Sequence, residues 1–270
     1  MSSTSKTETA LITGGCSGIG YAIACELAGR GFRLVLVSNQ EERLKEAAGE
    51  IRSTFNTEVY TLFLDLARHT AATDLYNWCH ENNYIIDVLV NNAGMFFFGE
   101  VTETPINKAR DMMSLHVSTP AQLCLLFSKD MKQRRQGNII IISSLASYMP
   151  YPGIAFYAAT KRFLKSFSRS LRTEMLDYNV NVTCVCPGAV YTNLYNLSDS
   201  GISAALKTGI MMRPEKLAKQ IVRAMLRKKS LIFPGMINKI ALPFLYIIPH
   251  GIIVLVRRYS RLLPPDKNNY

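Results

Sequence analysis

The chain has 270 residues, 48% hydrophobic and 19% charged, which fits a folded domain with a sizeable core and excludes disorder as its main state. Its net charge of +11 is concentrated at one end, where Arg213–Tyr270 holds 12 basic and 2 acidic residues. Those basic residues alternate with long aliphatic runs rather than with stacking aromatics, so nucleic acid is excluded in favour of an acidic membrane surface or lipid-linked substrate.

In chain order, short β-branched runs predict strands at Thr9–Thr13, Arg33–Val37, Glu58–Leu64, Val88–Asn91, Gly137–Ser143, Asn181–Cys186 and Ser230–Phe233. Between them, helical periodicity predicts helices at Ile19–Arg30, Glu41–Phe55, Thr70–Asn82, Thr104–Arg135, Phe156–Tyr178 and Pro214–Lys229. This alternation predicts an α/β fold, a doubly wound, mostly parallel seven-stranded sheet of Rossmann type. The expected organisation is a catalytic and dinucleotide-binding domain over 1–235, with a substrate lid at 193–213, and an apolar, basic C-terminal extension over 236–270.

That extension holds 17 uncharged residues from Ile240 to Val256, interrupted by Pro243, Pro249 and Gly251. A spanning helix needs about 20 apolar residues, and interior prolines kink a helix. Two short amphipathic or re-entrant pieces are therefore expected. They either contact a membrane peripherally through 236–263 or pack on the domain or a subunit interface. No apolar leader precedes the first strand, so the expected location is cytoplasmic, at the membrane surface if the extension binds lipid. The six cysteines show no metal-ligand spacing, and no metal is expected. Cys184 and Cys186 are expected on opposite faces of their strand, a poor chelate.

Gly14, Gly18 and Gly20 fall where the first strand gives way to the first helix, in the run Thr13–Gly20 that also contains Ser17 and Ile19. A dinucleotide pyrophosphate needs a tight turn, close backbone approach and free N–H groups at a helix N-terminus, and this spacing supplies them. Tyr157 and Lys161 are one helical turn apart, so an ammonium can lie beside a phenol. Tyrosine's reference pKa of about 10 is too high for proton work at neutral pH unless a cation stabilises the phenolate.

The TGxxxGIG spacing, with Asn91–Gly94 after the fourth strand, Ser144 placed 13 residues before Tyr157, and Pro187–Gly188 after the sixth strand, resembles the short-chain dehydrogenase/reductase family from about Thr9 to Gly235. The resemblance implies that Asp65 meets the adenine and that Asn91, Ala93 and Gly94 line the cofactor cleft. Pro187, Gly188, Val190 and Thr192 would embrace the nicotinamide carboxamide. Ser144 would hydrogen-bond the substrate oxygen, Tyr157 would transfer the proton, and Lys161 would also hold the nicotinamide ribose. It further implies a homodimer or homotetramer paired through the fourth and fifth helices. One departure is His116, at the position where the family usually carries an asparagine whose backbone anchors a relay water. Either His116 is a packed helix histidine, or its imidazole alters the proton relay. Ser143 is expected to point away from the site of Ser144.

An acidic residue at the end of the second strand would favour NAD(H). Ser38, Asn39 and Gln40 stand there, with Arg43 just beyond, so NADP(H) is favoured over NAD(H). Leucines, Tyr195, Met211 and Met212 in the lid, and Met95, Phe96, Phe97 and Phe98 after the fourth strand, suit an apolar small-molecule substrate, although such a stretch more often belongs to the core. The expected reaction reduces a hydrophobic carbonyl, a 3-oxoacyl thioester or 3-keto lipid. A steroid or other polycyclic alcohol is the alternative substrate, and an NADP(H)-binding regulator without turnover is the alternative of another class.

Overall fold

The computed structural model describes residues 7–149, 151–191, 205–206, 208–240 and 249–259. Seven parallel strands form one sheet: β1 Thr9–Thr13, β2 Arg33–Ser38, β3 Val59–Phe63, β4 Val88–Asn91, β5 Gly137–Ile142, β6 Val180–Val185 and, beyond a small separate pair, β9 Leu231–Ile232. Their order is β3-β2-β1-β4-β5-β6-β9. The strand order reverses direction between β1 and β4, which opens a crevice at the carboxyl ends of the strands. The separate pair is β7 Ala189–Val190 with β8 Met211–Met212, also parallel.

Near-continuous apolar runs fit strands covered on both faces. Ala10 and Ile12 enter one core with α1 (Gly18–Ala28), α2 (Glu41–Phe55) and α7 (Pro214–Leu226). Leu11 enters the other with α3 (Ala71–Glu81), α5 (Thr119–Arg134) and α6 (Ala155–Met175). All three strand residues are fully buried, and each leucine or isoleucine so placed is worth about 1.5–3 kcal/mol of transfer free energy. A last described helix, α8, covers His250–Tyr259.

The single helix expected over Thr104–Arg135 is α4 (Ile106–Met113) running into α5 through a wide π turn at Ser114–Ser118. Thr119 N–H reaches back five residues to the Ser114 carbonyl instead of four. The cause stands one residue further on. Pro120 has no N–H, and in a regular helix its ring would strike the carbonyl four residues back, that of His116. The helix absorbs the conflict by widening, and such insertions favour functional sites.

Cys184 and Cys186 depart from expectation. Residues two apart share a strand face, and both thiols are fully buried in the core. Among the described residues all six cysteines are free, and no cluster of potential metal ligands occurs.

Candidate active site

A cleft of about 510 Å³ opens at the β1/β4 crevice. The glycine loop forms its floor. Gly14 takes φ +65°, a left-handed conformation that glycine tolerates. Gly20 is required for another reason: a Cβ there would lie 2.1 Å from the Gly14 carbonyl oxygen. Ser17 N-caps α1 without a side-chain capping bond, and it lines the cleft with Gly14, Gly18 and Ile19. Thr13 ties this loop to its neighbour. Its hydroxyl donates to the Val90 carbonyl at 3.1 Å and accepts from the N–H groups of Asn92 and Ala93 at 2.9 and 3.0 Å. The Asn92 amide returns the tie by donating to the Thr13 and Gly14 carbonyls.

Asn92, Ala93 and Gly94 line the cleft, whereas Asn91 does not. As the last residue of β4, Asn91 is buried with its amide turned to the Cys124 sulfur at 3.2 Å. This corrects the expected role of Asn91 and assigns the position to Asn92, which strand alternation turns the opposite way. Asp65, Ser38, Asn39, Pro187, Gly188 and Val190 all border the cleft, as do Gln40, Met95, Asp111 and Leu115. The last two were missed by sequence reasoning. Their spacing on one helical turn, and Asp111 five residues before His116, were the available signals. Arg43 is exposed and outside the lining; its guanidinium donates to Gln40 Oε1 at 3.1 Å. Thr192 and most of the expected lid, with Tyr195, lie outside the described residues.

Ser144, Tyr157 and Lys161 reach the same cleft from β5 and α6. Ser144 caps a short 3-10 turn, its hydroxyl oxygen accepting from Ala146 N–H at 3.1 Å. That bond leaves the hydroxyl proton available for donation. Ser143 is turned under α6, where its hydroxyl donates to the Lys161 carbonyl at 2.7 Å. Lys161 is buried, donates from Nζ to the Ile142 carbonyl at 3.1 Å, and lies 5.6 Å from the centre of the Tyr157 ring. Burial lowers its pKa to about 8, so the ammonium still predominates at neutral pH.

His116 is buried against Tyr157, ring edge to ring face at 5.8 Å. Its Nε2 accepts from Met95 N–H at 2.9 Å. Its Nδ1 lies 3.1 Å from the Thr160 hydroxyl, which donates its own proton to the Tyr157 carbonyl at 2.8 Å. These bonds fix one tautomer, with the proton on Nδ1. Burial, then the nearby Lys161 charge, push its pKa well below 6.5. The ring thus straps the loop after β4 to the first turns of α6, and Gly94 makes room for it: a Cβ there would lie 2.9 Å from Nε2.

A larger cavity of about 1020 Å³ lies between α1 and the start of α7, lined by Tyr21, Cys25, Arg213 and Lys219 among others. It shares Gly18 with the cleft but holds none of Ser144, Tyr157, Lys161 or His116, so the chemistry is read from the smaller cleft.

Known proteins agree with this geometry. The short chain dehydrogenase family model matches residues 8–201. Dehydrogenase/reductase SDR family member 7B of Xenopus laevis is 30% identical over 248 residues, covering 86% of this chain and 75% of its own. Very-long-chain 3-oxoacyl-CoA reductase of Rattus norvegicus is 31% identical over 217 residues, covering 74% and 68%. A short-chain dehydrogenase from Sphingobium yanoikuyae, solved in complex with NADPH, superposes with a TM-score of 0.77 at 25% identity, covering 96% of this chain and 99% of that one. Sheet order, loop geometry and sequence match therefore agree that the chain belongs to the short-chain dehydrogenase family, as an oxidoreductase acting on alcohol and carbonyl groups.

Proposed function

We propose that this protein reduces the carbonyl of a hydrophobic 3-oxoacyl or 3-keto lipid, with NADP(H) as its preferred cofactor. The convergence of Ser144, Tyr157 and Lys161 on the cleft floored by the glycine loop carries this reading. The residues present fit a dinucleotide: Gly14 turns the loop at φ +65° and Gly20, where a Cβ would strike the Gly14 carbonyl, lets that loop sit close on α1, leaving a backbone cradle at the helix N-terminus. When bound, a nicotinamide supplies the hydride.

The chain's own groups handle the proton and the geometry. Ser144 donates to the substrate oxygen while Ala146 N–H holds the serine in place. Tyr157 gives its phenolic proton to that same oxygen as charge develops there. Lys161, charged at neutral pH, stabilises the phenolate left behind.

Neutral Ser38, Asn39 and Gln40 at the cleft edge support NADP(H), because no carboxylate there repels a 2′-phosphate. The NADPH held by the Sphingobium relative points the same way. For the substrate, Phe96 stands edge-on to Tyr157 at 5.1 Å and Phe97 lies 6.5 Å from Phe156, an aromatic wall suited to an apolar chain. The oxoacyl-CoA reductase relative supports the same class.

Titration of the purified protein with NADPH and NADH, followed by turnover of short- and long-chain 3-oxoacyl thioesters beside steroid ketones, tests the reading. Tighter NADPH binding and turnover rising with chain length are expected, and preference for the steroids would replace the lipid substrate. Tyr157→Phe should keep cofactor binding and lower turnover by about 10²–10⁴-fold. Undiminished turnover in that variant would overturn the mechanism.

A further inference from the structure

The C-terminal extension begins with a helical turn at 236–240. Met236, Ile237, Lys239 and Ile240 in that turn are exposed, and Asn238 alone is turned inward. Its amide nitrogen donates to the Pro234 carbonyl, so the amide plane is fixed. The rest of the amide lies against Gly188. A Cβ on Gly188 would stand 2.5 Å from Asn238 Oδ1 and 2.8 Å from Nδ2. Gly188 borders the cleft with Pro187 and Val190. The amide is thus bonded to Pro234 on one side and packed against Gly188 on the other, filling the space a side chain at 188 would need and limiting where that backbone can lie.

We propose that Asn238 is a positioning residue for the Pro187–Val190 rim, so that the first turn of the extension sets how the nicotinamide end of a dinucleotide is held. This rests on the reading of the cleft as a dinucleotide site. Asn238 acts through Gly188 and touches no reacting atom. The boundary expected after residue 235 therefore cuts through a functional unit: the turn beyond it belongs with the cleft.

The test uses the full-length protein and two ligands, NADPH and 2′-phospho-ADP-ribose, which lacks the nicotinamide. Asn238→Ala should weaken NADPH binding by about tenfold, the scale of one lost oriented contact. It should leave 2′-phospho-ADP-ribose affinity and the thermal unfolding midpoint unchanged. Asn238→Asp keeps the shape, loses the donor to Pro234 and should show the same selective loss. Gly188→Ala should be worse than either, and adding Asn238→Ala to it should restore affinity by clearing space for the new methyl group. Unchanged NADPH affinity in both Asn238 variants, equal weakening of both ligands, or additive effects in the double variant would overturn the proposal. A wild-type protein that binds neither ligand would instead bring down the dinucleotide reading, and the proposal with it.

Discussion

His116 has both ring nitrogens engaged, one accepting from Met95 and the other bonded to Thr160. Protonation at Nε2 would set two donors against each other. The folded protein therefore keeps this ring neutral below pH 6.5, where the unfolded chain takes up a proton. The sign follows from linkage: the unfolded state binds more protons in this window, so stability is intact above pH 6.5 and is lost as pH falls toward the depressed folded value. Urea unfolding of wild type and His116→Asn at pH 7, 6 and 5 isolates the contribution, because other groups titrate alike in both. The wild-type advantage should shrink by up to about 1.4 kcal/mol per pH unit, and parallel curves would refute it. At this scale the sequence was only partly legible. Motif spacing located Ser144, Tyr157 and Lys161, but it assigned Asn91 to the cleft where Asn92 stands, since the direction of a side chain at a strand end depends on where pairing stops. Arg43 was placed by proximity in sequence, and its helix turns it outward.

The central strands were legible because they are buried on both faces and need uninterrupted apolar runs, while the edge strands β3 and β9 are only partly buried. The helices were legible from their amphipathic stripes, as in α7, where Leu217, Ala218, Ile221, Val222 and Met225 are buried. Leu217 lies in the core shared with α1 and is fully buried. Leu217→Ala should therefore cost about 2–5 kcal/mol, seen as a lower denaturant midpoint without a changed slope. A cost below about 1 kcal/mol would mean that the α1–α7 contact collapses around the gap. The wide turn in α4–α5 was hidden from periodicity, which averages over a helix and cannot register one extra residue. Its cause, Pro120, was nevertheless in plain view. The short pair β7–β8 was hidden too, because two residues carry no pattern.

For the whole molecule, the excess of positive charge is gathered in the C-terminal segment of the chain, which also carries exposed apolar side chains. Met236, Ile237, Ile240, Ile252 and Leu255 are exposed, in a region that is strongly basic in sequence. Among the described residues no helix is long and apolar enough to cross a membrane. The expected behaviour is peripheral binding: co-sedimentation with phosphatidylserine-containing vesicles that weakens with added salt, and little with neutral phosphatidylcholine vesicles. Absence of sedimentation with either would assign the apolar extension to contacts within or between protein subunits.

The Thr13–Asn92 ties have a consequence for how a ligand is captured. They cross-link the ends of β1 and β4 within the protein itself, so the floor of the cleft is ordered before anything arrives. A dinucleotide landing there spends little of its interaction energy on arranging the chain, and its affinity reflects contact rather than coupled folding. The opposite rim is tied to the sheet at one point, where Leu145 N–H donates to the Pro187 carbonyl at 2.9 Å. Beyond that point it is held across the sequence by Tyr191 N–H donating to the Met212 carbonyl and by the contact of Asn238 with Gly188. Capture and retention are thus divided between two walls of one cleft, the first built by neighbours in the sheet and the second completed by residues far downstream.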